Sequence, residues 1–495
     1  MDGGMRGKMK TKTKKIGVDG DGEEEEDEDE DRMYSRFTNR RKAAITAMLC
    51  LSSFLGPMST TAVLPAVPDV AKELGTTGTV INLSNGLLLL SCAFSPCIWS
   101  PLSEMYGKRI SYLACNAFFL ACSLGTALAP NLPAYFVFRL MTGLAGTGFL
   151  LLGASTIGDL YKPVERGTAM GWFLSGTVIG PGFGPVIGGV ITQFSTWRVY
   201  FWLQSGLSGL SLVLMLLWLP ETAHHLTKDD SDEQTSSRFP VLRRLNPLQP
   251  LLLILRHPNI LATGIASSAL IWHMYALLTP IRYTLNPRFN LDTPLSGALF
   301  FLAPGCGNLV GTFVGGRWAD IVVRKWIKKR NGVRVPHDRL RSCLPTLAFV
   351  MPACALVYGW TVETAKGGYP VPVLAMFAQG VGSLVCFGSL NTYCVDVMQT
   401  RSSQAVGGNY IFRYSFGAAA SMSALPIIEA IGVGWLSTIS AGFMMLSGGL
   451  VALTIHCGDN MMTWRLGRAK EVEVDDGIRE KRGCGVASVV RDKVG

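Results

Sequence analysis

Three ionisable residues stand alone in otherwise apolar runs: Arg139 in "FRLMTGLAG", His273 in "IWHMY" and Arg413 in "NYIFRYSF". A guanidinium in such a setting can hold an anion or assist a passing proton. An imidazole, with an ordinary pKa of ~6.5, can itself gain and lose one near neutral pH. Neutral hydrogen-bonding groups stand in similar runs, Gln379 and Asn409 among them. Carboxylates are missing from the first five apolar runs: Asp69, Glu104, Asp159 and Glu165 lie at or beyond their ends, as do Asp396 and Glu429 later. A cavity built from these runs offers bases and no buried acid, which points to an anionic or neutral ligand. Packing gives each residue another explanation, since polar groups in apolar helices commonly bond to a neighbouring helix.

The runs themselves set the architecture. The chain has 495 residues, 48% hydrophobic and only 16% charged, with a mean hydropathy of +0.30. A soluble domain carries about a quarter charged residues. About 20 apolar residues span a bilayer core as a helix. By that ruler spans are expected at 43–66, 79–101, 110–129, 134–158, 168–192, 200–219, 258–281, 295–319, 343–362, 370–394, 404–429 and 435–456. The fold class expected is therefore an all-α membrane protein of twelve transmembrane helices in two six-helix halves. The expected division is a charged tail at 1–42, a first half at 43–220, a central loop at 221–257, a second half at 258–457 and a tail at 458–495.

Loop charge gives the orientation. Lys108, Arg109, Arg243, Arg244, Arg256 and the basic residues of 324–341 fall on the side of the two termini. Only Lys72, Arg198, Arg282, Arg288 and Lys366 fall opposite. The positive-inside rule then places both termini in the cytosol. It also accounts for most of the net charge of +10, so no nucleic-acid partner is expected. Residues 19–31 ("DGDGEEEEDEDED") read as a solvated acidic tail. The cysteines show no CxxC or other metal spacing. No metal or cofactor is expected.

Two further stretches carry patterns. "SPLSEMYGKR" (100–109) closes span 2, and "GGRWADIVVRK" (315–325) closes span 8. Each sets small residues, an acid and then bases at a helix end, so the halves echo one another. Glu104, Gly107, Lys108, Arg109 and Asp320 are candidates for a conformational latch, in which opposite charges and helix-end dipoles favour one state. "GTVIGPGFGPVIGG" (176–189) packs six glycines and two prolines into span 5. Gly176, Gly180, Gly184 and Gly188 recur every four residues, a spacing that lets helices approach closely in lipid. Pro181 and Pro185 are expected to bend the helix, and a seal against span 8 of the other half is expected.

Residues 100–109 resemble the loop 2–3 signature of the major facilitator superfamily, G-x-L-a-D-r-x-G-R-K. Leu102, Gly107, Lys108 and Arg109 match; Glu104, Ser100 and Met105 depart from it. "RLMTGLAG" (139–146) resembles the span 4 signature, with Thr142 in place of glutamine. The span 5 run is similar to the antiporter signature G-x-x-x-G-P-x-x-G-G through Gly180, Pro185, Gly188 and Gly189, with Gly184 before Pro185. "WRVYFWL" (197–203), "LPET" (219–222), "YCVDVMQTRSSQAVGGNYIFR" (393–413) and "IGVGW" (431–435) narrow the likeness to fungal twelve-spanner drug:proton antiporters, in the quinidine-resistance, dityrosine and citrate-exporter subgroup. It covers roughly residues 40 to 460.

The resemblance implies a monomeric secondary active transporter in the plasma membrane that exports a small molecule by proton-coupled alternating access. An organic acid such as citrate, or a pathway metabolite, is the expected cargo. Multidrug efflux and, from another class, a non-transporting sensor are the alternatives. An enzyme is not expected, since no HExxH, GxSxG or nucleotide-binding GxxxxGK[ST] pattern occurs.

Overall fold

The computed structural model describes residues 37–161, 166–221, 248–289, 293–332, 335–398 and 402–457. Among them are 12 helical spans long and apolar enough to cross a membrane: Asn39–Glu73, Gly78–Tyr106, Lys108–Ala127, Leu132–Leu160, Thr168–Phe194, Trp197–Trp218, Pro258–Leu278, Leu295–Lys329, Pro336–Thr364, Pro370–Val397, Val406–Ile431 and Val433–Cys457. They are numbered spans 1 to 12. Successive spans run antiparallel, so the described chain begins and ends on one face, called the terminal face; the opposite one is the far face.

Four spans carry a break or an extension with a local reason. Span 1 is a helix at Asn39–Thr61, a tight turn at Leu64–Ala66 and a second helix at Val67–Glu73. Pro65 and Pro68 open the last two pieces, where a missing N–H costs nothing. Span 4 is two helices, Leu132–Gly146 and Gly148–Leu160, that meet at Thr147. The Thr147 hydroxyl donates to the Cys92 carbonyl at 2.6 Å, tying the break to span 2. Span 8 continues to Lys329, nearly three turns beyond the expected end, because Ile321, Val322 and Val323 prolong the apolar run between the charges. Span 9 widens into a π-turn at Thr346–Val350 directly after Pro345, the type of interruption that a proline within a helix invites. A helix at Leu248–Arg256 also lies inside the stretch expected as a loop. Its Ile254 is fully buried with Ile260 and Cys394.

Cores form on both sides of the membrane's middle. In the first half, Tyr135, Trp197 and Phe201 meet edge to face at 5.8–6.3 Å near the far face. Towards the terminal face Tyr112, Phe119 and Phe149 form a second aromatic group. These clusters hold spans 3, 4 and 6 as one unit against which spans 1, 2 and 5 are placed.

Candidate functional site

The two halves touch through spans 1, 2 and 5 on one side and spans 7, 8 and 11 on the other. The glycine ladder of span 5 has a different partner from the one expected. A Cβ on Gly176 would run into the Cys50 carbonyl and Ser53, one on Gly180 into Pro57 and Met58, and one on Gly188 into the Ala62 carbonyl. Gly184 is looser, with Thr61 Oγ1 at 3.2 Å. The ladder therefore seats span 5 on span 1, inside its own half. Gly182, which is not part of that ladder, meets span 8: a Cβ on Gly305 would sit 2.5 Å from its Cα. Gly189 and Pro185 are buried, and Pro181 faces the space between the halves. The prolines remain inside one helix, Arg166–Phe194. Each removes one ladder hydrogen bond.

Arg139 is fully buried. Its guanidinium donates to the Ser59 carbonyl at 2.9 Å and to Asn85 Oδ1 at 2.6 Å, and lies 5.8 Å from the centre of the Phe201 ring. No carboxylate pairs with it among the described residues. Asn85 Nδ2 then donates to Ser421 Oγ of span 11 at 3.3 Å, so the network crosses between the halves. Nearby, the Tyr275 hydroxyl of span 7 donates to Thr60 Oγ1 of span 1 at 3.1 Å. An ion kept in a membrane interior by neutral dipoles alone is costly, which keeps Arg139 a candidate.

His273 and Gln379 come together on a cavity between the halves. Its wall also holds Pro181, Met274, Leu277, Leu278, Pro304, Gly305, Asn308, Gly380 and Ser383. Both side chains are only 4% exposed, and His273 Nε2 and both amide atoms of Gln379 have no hydrogen-bond partner. Arg413 and Asn409 are placed elsewhere, against span 10. Arg413 donates to Asn391 Oδ1 at 2.7 Å and stacks over Phe387 at 4.7 Å and Tyr410 at 5.3 Å. Asn409 points at Cys394 Sγ, 3.7 Å away. Of the five pathway candidates, two thus share a cavity and three do not.

At the terminal face the expected acid is replaced by others. Glu104 and Asp320 are exposed and make no ion pair among the described residues. Lys108 Nζ instead contacts Asp159 Oδ2 at 2.5 Å and donates to the Ser155 carbonyl at 3.1 Å. The Glu221 carboxylate accepts the backbone N–H groups of Lys108 and Arg109 at 3.0 and 3.3 Å, capping span 3 where the helix dipole favours an anion. Gly107 supplies the φ of +87° that opens this helix, and a Cβ there would come 2.7 Å from Glu221 Oε2. Arg109 Nη2 donates to the Leu216 carbonyl at 3.1 Å. Every one of these contacts lies within the first half. A side chain at a helix end pairs with whichever acid the tertiary fold delivers, and span 6 delivers Glu221.

The far face carries the ion pair that joins the halves. Arg282, just past span 7, meets Asp69 of span 1 at 2.7 Å and also donates to the Pro65 carbonyl. Sequence reading passed over Asp69, Arg282, Asp159 and Glu221 because each lies at a span end, where charges are ordinary. "LPET" was the one available signal for Glu221.

Residues 49–422 match the family model described as Major Facilitator Superfamily. The chain is similar to a Candida albicans protein named MFS antiporter QDR3, at 24% identity over 83% of this chain and 77% of that one. It is 27% identical to the efflux pump radE of Floropilus chiversii, over 85% and 81% of the two chains. It is equally close to the MFS-type transporter penM of Penicillium rubens, over 83% of each. In fold it resembles the human organic anion transporter MFSD10 (TETRAN), with a TM-score of 0.61 over 83% of this chain and 99% of that one at 15% identity. Twelve spans in two halves, a central cavity between them and a family match over most of the length converge: the chain is a secondary transporter and belongs to the Major Facilitator Superfamily.

Proposed function

We propose that this protein exports a small anionic or uncharged organic molecule, an organic acid or a pathway metabolite, in exchange for protons. The observation that carries the reading is a cavity between the halves whose described wall holds no acid. A cationic cargo would find nothing to neutralise it there, and desolvating an unpaired charge costs several kcal/mol or more. The named relatives include an antiporter and an efflux pump, which supports outward transport. We assign the proton to His273, with the fixed charge of Arg139 assisting.

The hydrogen bonds and ion pair that join the halves among the described residues, Arg282–Asp69, Tyr275–Thr60 and Asn85–Ser421, all lie in the far-side half of the membrane. They support a state closed at the far face, from which the cavity is loaded across the terminal face. Basic loops on that face support cytosolic termini; a plasma-membrane site and a monomer complete the proposal. A broad drug specificity is the second reading, supported by the apolar walls that Leu277, Leu278 and Pro304 give the cavity.

Inside-out vesicles with an imposed proton gradient test the proposal, offered a labelled tricarboxylate, an uncharged apolar solute and a cationic drug in parallel. Gradient-driven uptake of the acid or the neutral solute is expected. Uptake of the cation alone overturns the charge reading, and uptake insensitive to the gradient overturns proton exchange.

A further inference from the structure

The cavity wall is more specific than its lack of acids implies. His273 Nε2, Gln379 Oε1 and Gln379 Nε2 are buried and lie on the cavity; the two side chains neighbour each other, yet none of the three atoms makes a hydrogen bond of good geometry. Buried polar atoms are normally satisfied, and each one left without a partner costs about 1–3 kcal/mol. Three such atoms from two neighbouring spans on one wall form a prepared set of donors and acceptors. Asn308 of span 8 and Ser383 of span 10 add two further polar side chains, while Pro181, Leu277 and Pro304 give the wall its apolar part.

We propose that His273, Gln379 and Asn308 form a subsite for an uncharged group that both donates and accepts hydrogen bonds, a carboxamide or its equivalent, carried on an apolar body. This deepens the transport proposal and rests on its reading of the cavity as the cargo site. The amide of Gln379 offers one acceptor and two donors, and a cargo carboxamide pairs with both ends at once. The imidazole of His273 supplies a donor or an acceptor according to its tautomer. Charged cargo fits this wall poorly. Neither arginine reaches it: Arg139 is engaged by Ser59 and Asn85, and Arg413 by Asn391. A carboxylate would therefore enter without a cation and an ammonium without an anion, each at the cost of stripping its water. Within the cargo classes left open above, the uncharged metabolite is the one selected.

Three probes of one shape test the subsite: 2-naphthamide, 2-naphthoate and 2-naphthylmethylammonium, with equilibrium binding measured on the full chain in lipid nanodiscs. The amide is expected to bind at least tenfold more tightly than either charged probe. Gln379→Leu is expected to weaken amide binding about tenfold. Gln379→Glu, which keeps the shape, should invert the preference towards the ammonium probe, a reversal that mere loss of structure cannot produce. Tightest binding of the naphthoate, binding of no probe, or amide binding indifferent to both substitutions overturns the subsite. Transport of the amide in proteoliposomes separates the two proposals. Transport that ignores a proton gradient, with binding still dependent on Gln379, overturns the coupling alone. Coupled transport with binding independent of Gln379 overturns the subsite alone.

Discussion

The two faces of the molecule differ by one ion pair, and that pair joins the halves. At the terminal face Lys108–Asp159 and the Glu221 cap lie within the first half, while Arg330–Asp338 and Arg339–Asp396 lie within the second. At the far face Arg198–Glu73 and Arg288–Glu363 likewise lie within one half each, and Arg282–Asp69 is the ion pair among the described residues that runs between the halves. A pair inside a rigid half survives any rocking of one half against the other, so it contributes to stability and not to the choice of state. A pair across the halves must break when that face opens. In this state the ion pair between the halves lies at the far ends of spans 1 and 7, and the loop-signature charges bond within their own half.

The comparison is broken most severely at the contact of spans 5 and 8. Gly182→Val puts a branched side chain where the two backbones meet, and the far face cannot close around it. Transport in proteoliposomes is expected to fall more than tenfold with the protein still folded. Gly184→Ala, two residues on and on the opposite side of the same helix, adds a methyl at 3.2–3.4 Å from its neighbours on span 1 and should cost less than twofold. Equal losses would show that the two faces of span 5 serve one purpose.

The ion pair comes next. Asp69 is 42% exposed at its side chain, so the pair is worth about 0.2–1 kcal/mol after screening by solvent. Asp69→Asn should shift the balance towards the far-open state two- to fivefold, read as a change in spin-label distance between the far ends of spans 1 and 7. The exchanged pair Asp69→Arg with Arg282→Asp should restore part of it. An unchanged distance distribution in both single variants would return the pair to the status of a passive surface contact.

Glu221→Gln sharpens the contrast from the other side. A lost helix cap costs about 1 kcal/mol, so a melting temperature lower by a few degrees is expected with the spin-label distances unmoved. Glu363→Gln offers a control at the opposite face. There the carboxylate accepts the N–H of Val433 at 2.8 Å, and Gly432, with φ +89°, opens span 12 as Gly107 opens span 3. The same device thus ties span 6 to span 3 in one half and span 9 to span 12 in the other. A change of conformational balance in Glu221→Gln alone would make the terminal-face cap part of the switch.

The fold was legible in the sequence because the bilayer imposes a length, and a run of apolar residues records it directly. Breaks within spans were less so: Thr147 looks like any residue of span 4 until its hydroxyl finds the Cys92 carbonyl. The site was read halfway. Composition alone singled out His273 and Gln379, since polar atoms in apolar helices are conspicuous, and they do share a wall. It could not tell that Arg139 and Arg413 turn away from that wall, because direction depends on the rotation of each helix against its neighbours. The glycine ladder shows the same limit. A four-residue repeat announces close packing, but the identity of the partner, span 1 for the ladder and span 8 for Gly182, is a tertiary fact.

The smallest effects are expected where the signature pattern is most suggestive. Glu104 and Asp320 stand at matching places in the two halves, yet both side chains are exposed and pair with no base among the described residues. Glu104→Gln and Asp320→Asn should therefore leave melting temperature within about 1 °C of wild type, as surface substitutions of this kind fall within ±0.5 kcal/mol. Transport measured at saturating cargo should change less than twofold. The outcome of interest is a split, with stability unmoved and transport lost. That split would mean the acid finds its partner only after the far face opens and the terminal ends of the halves come together. Asp320→Asn would then lower the far-open population in the spin-label measurement, opposite in sign to Asp69→Asn, and combining the two would return the balance towards wild type.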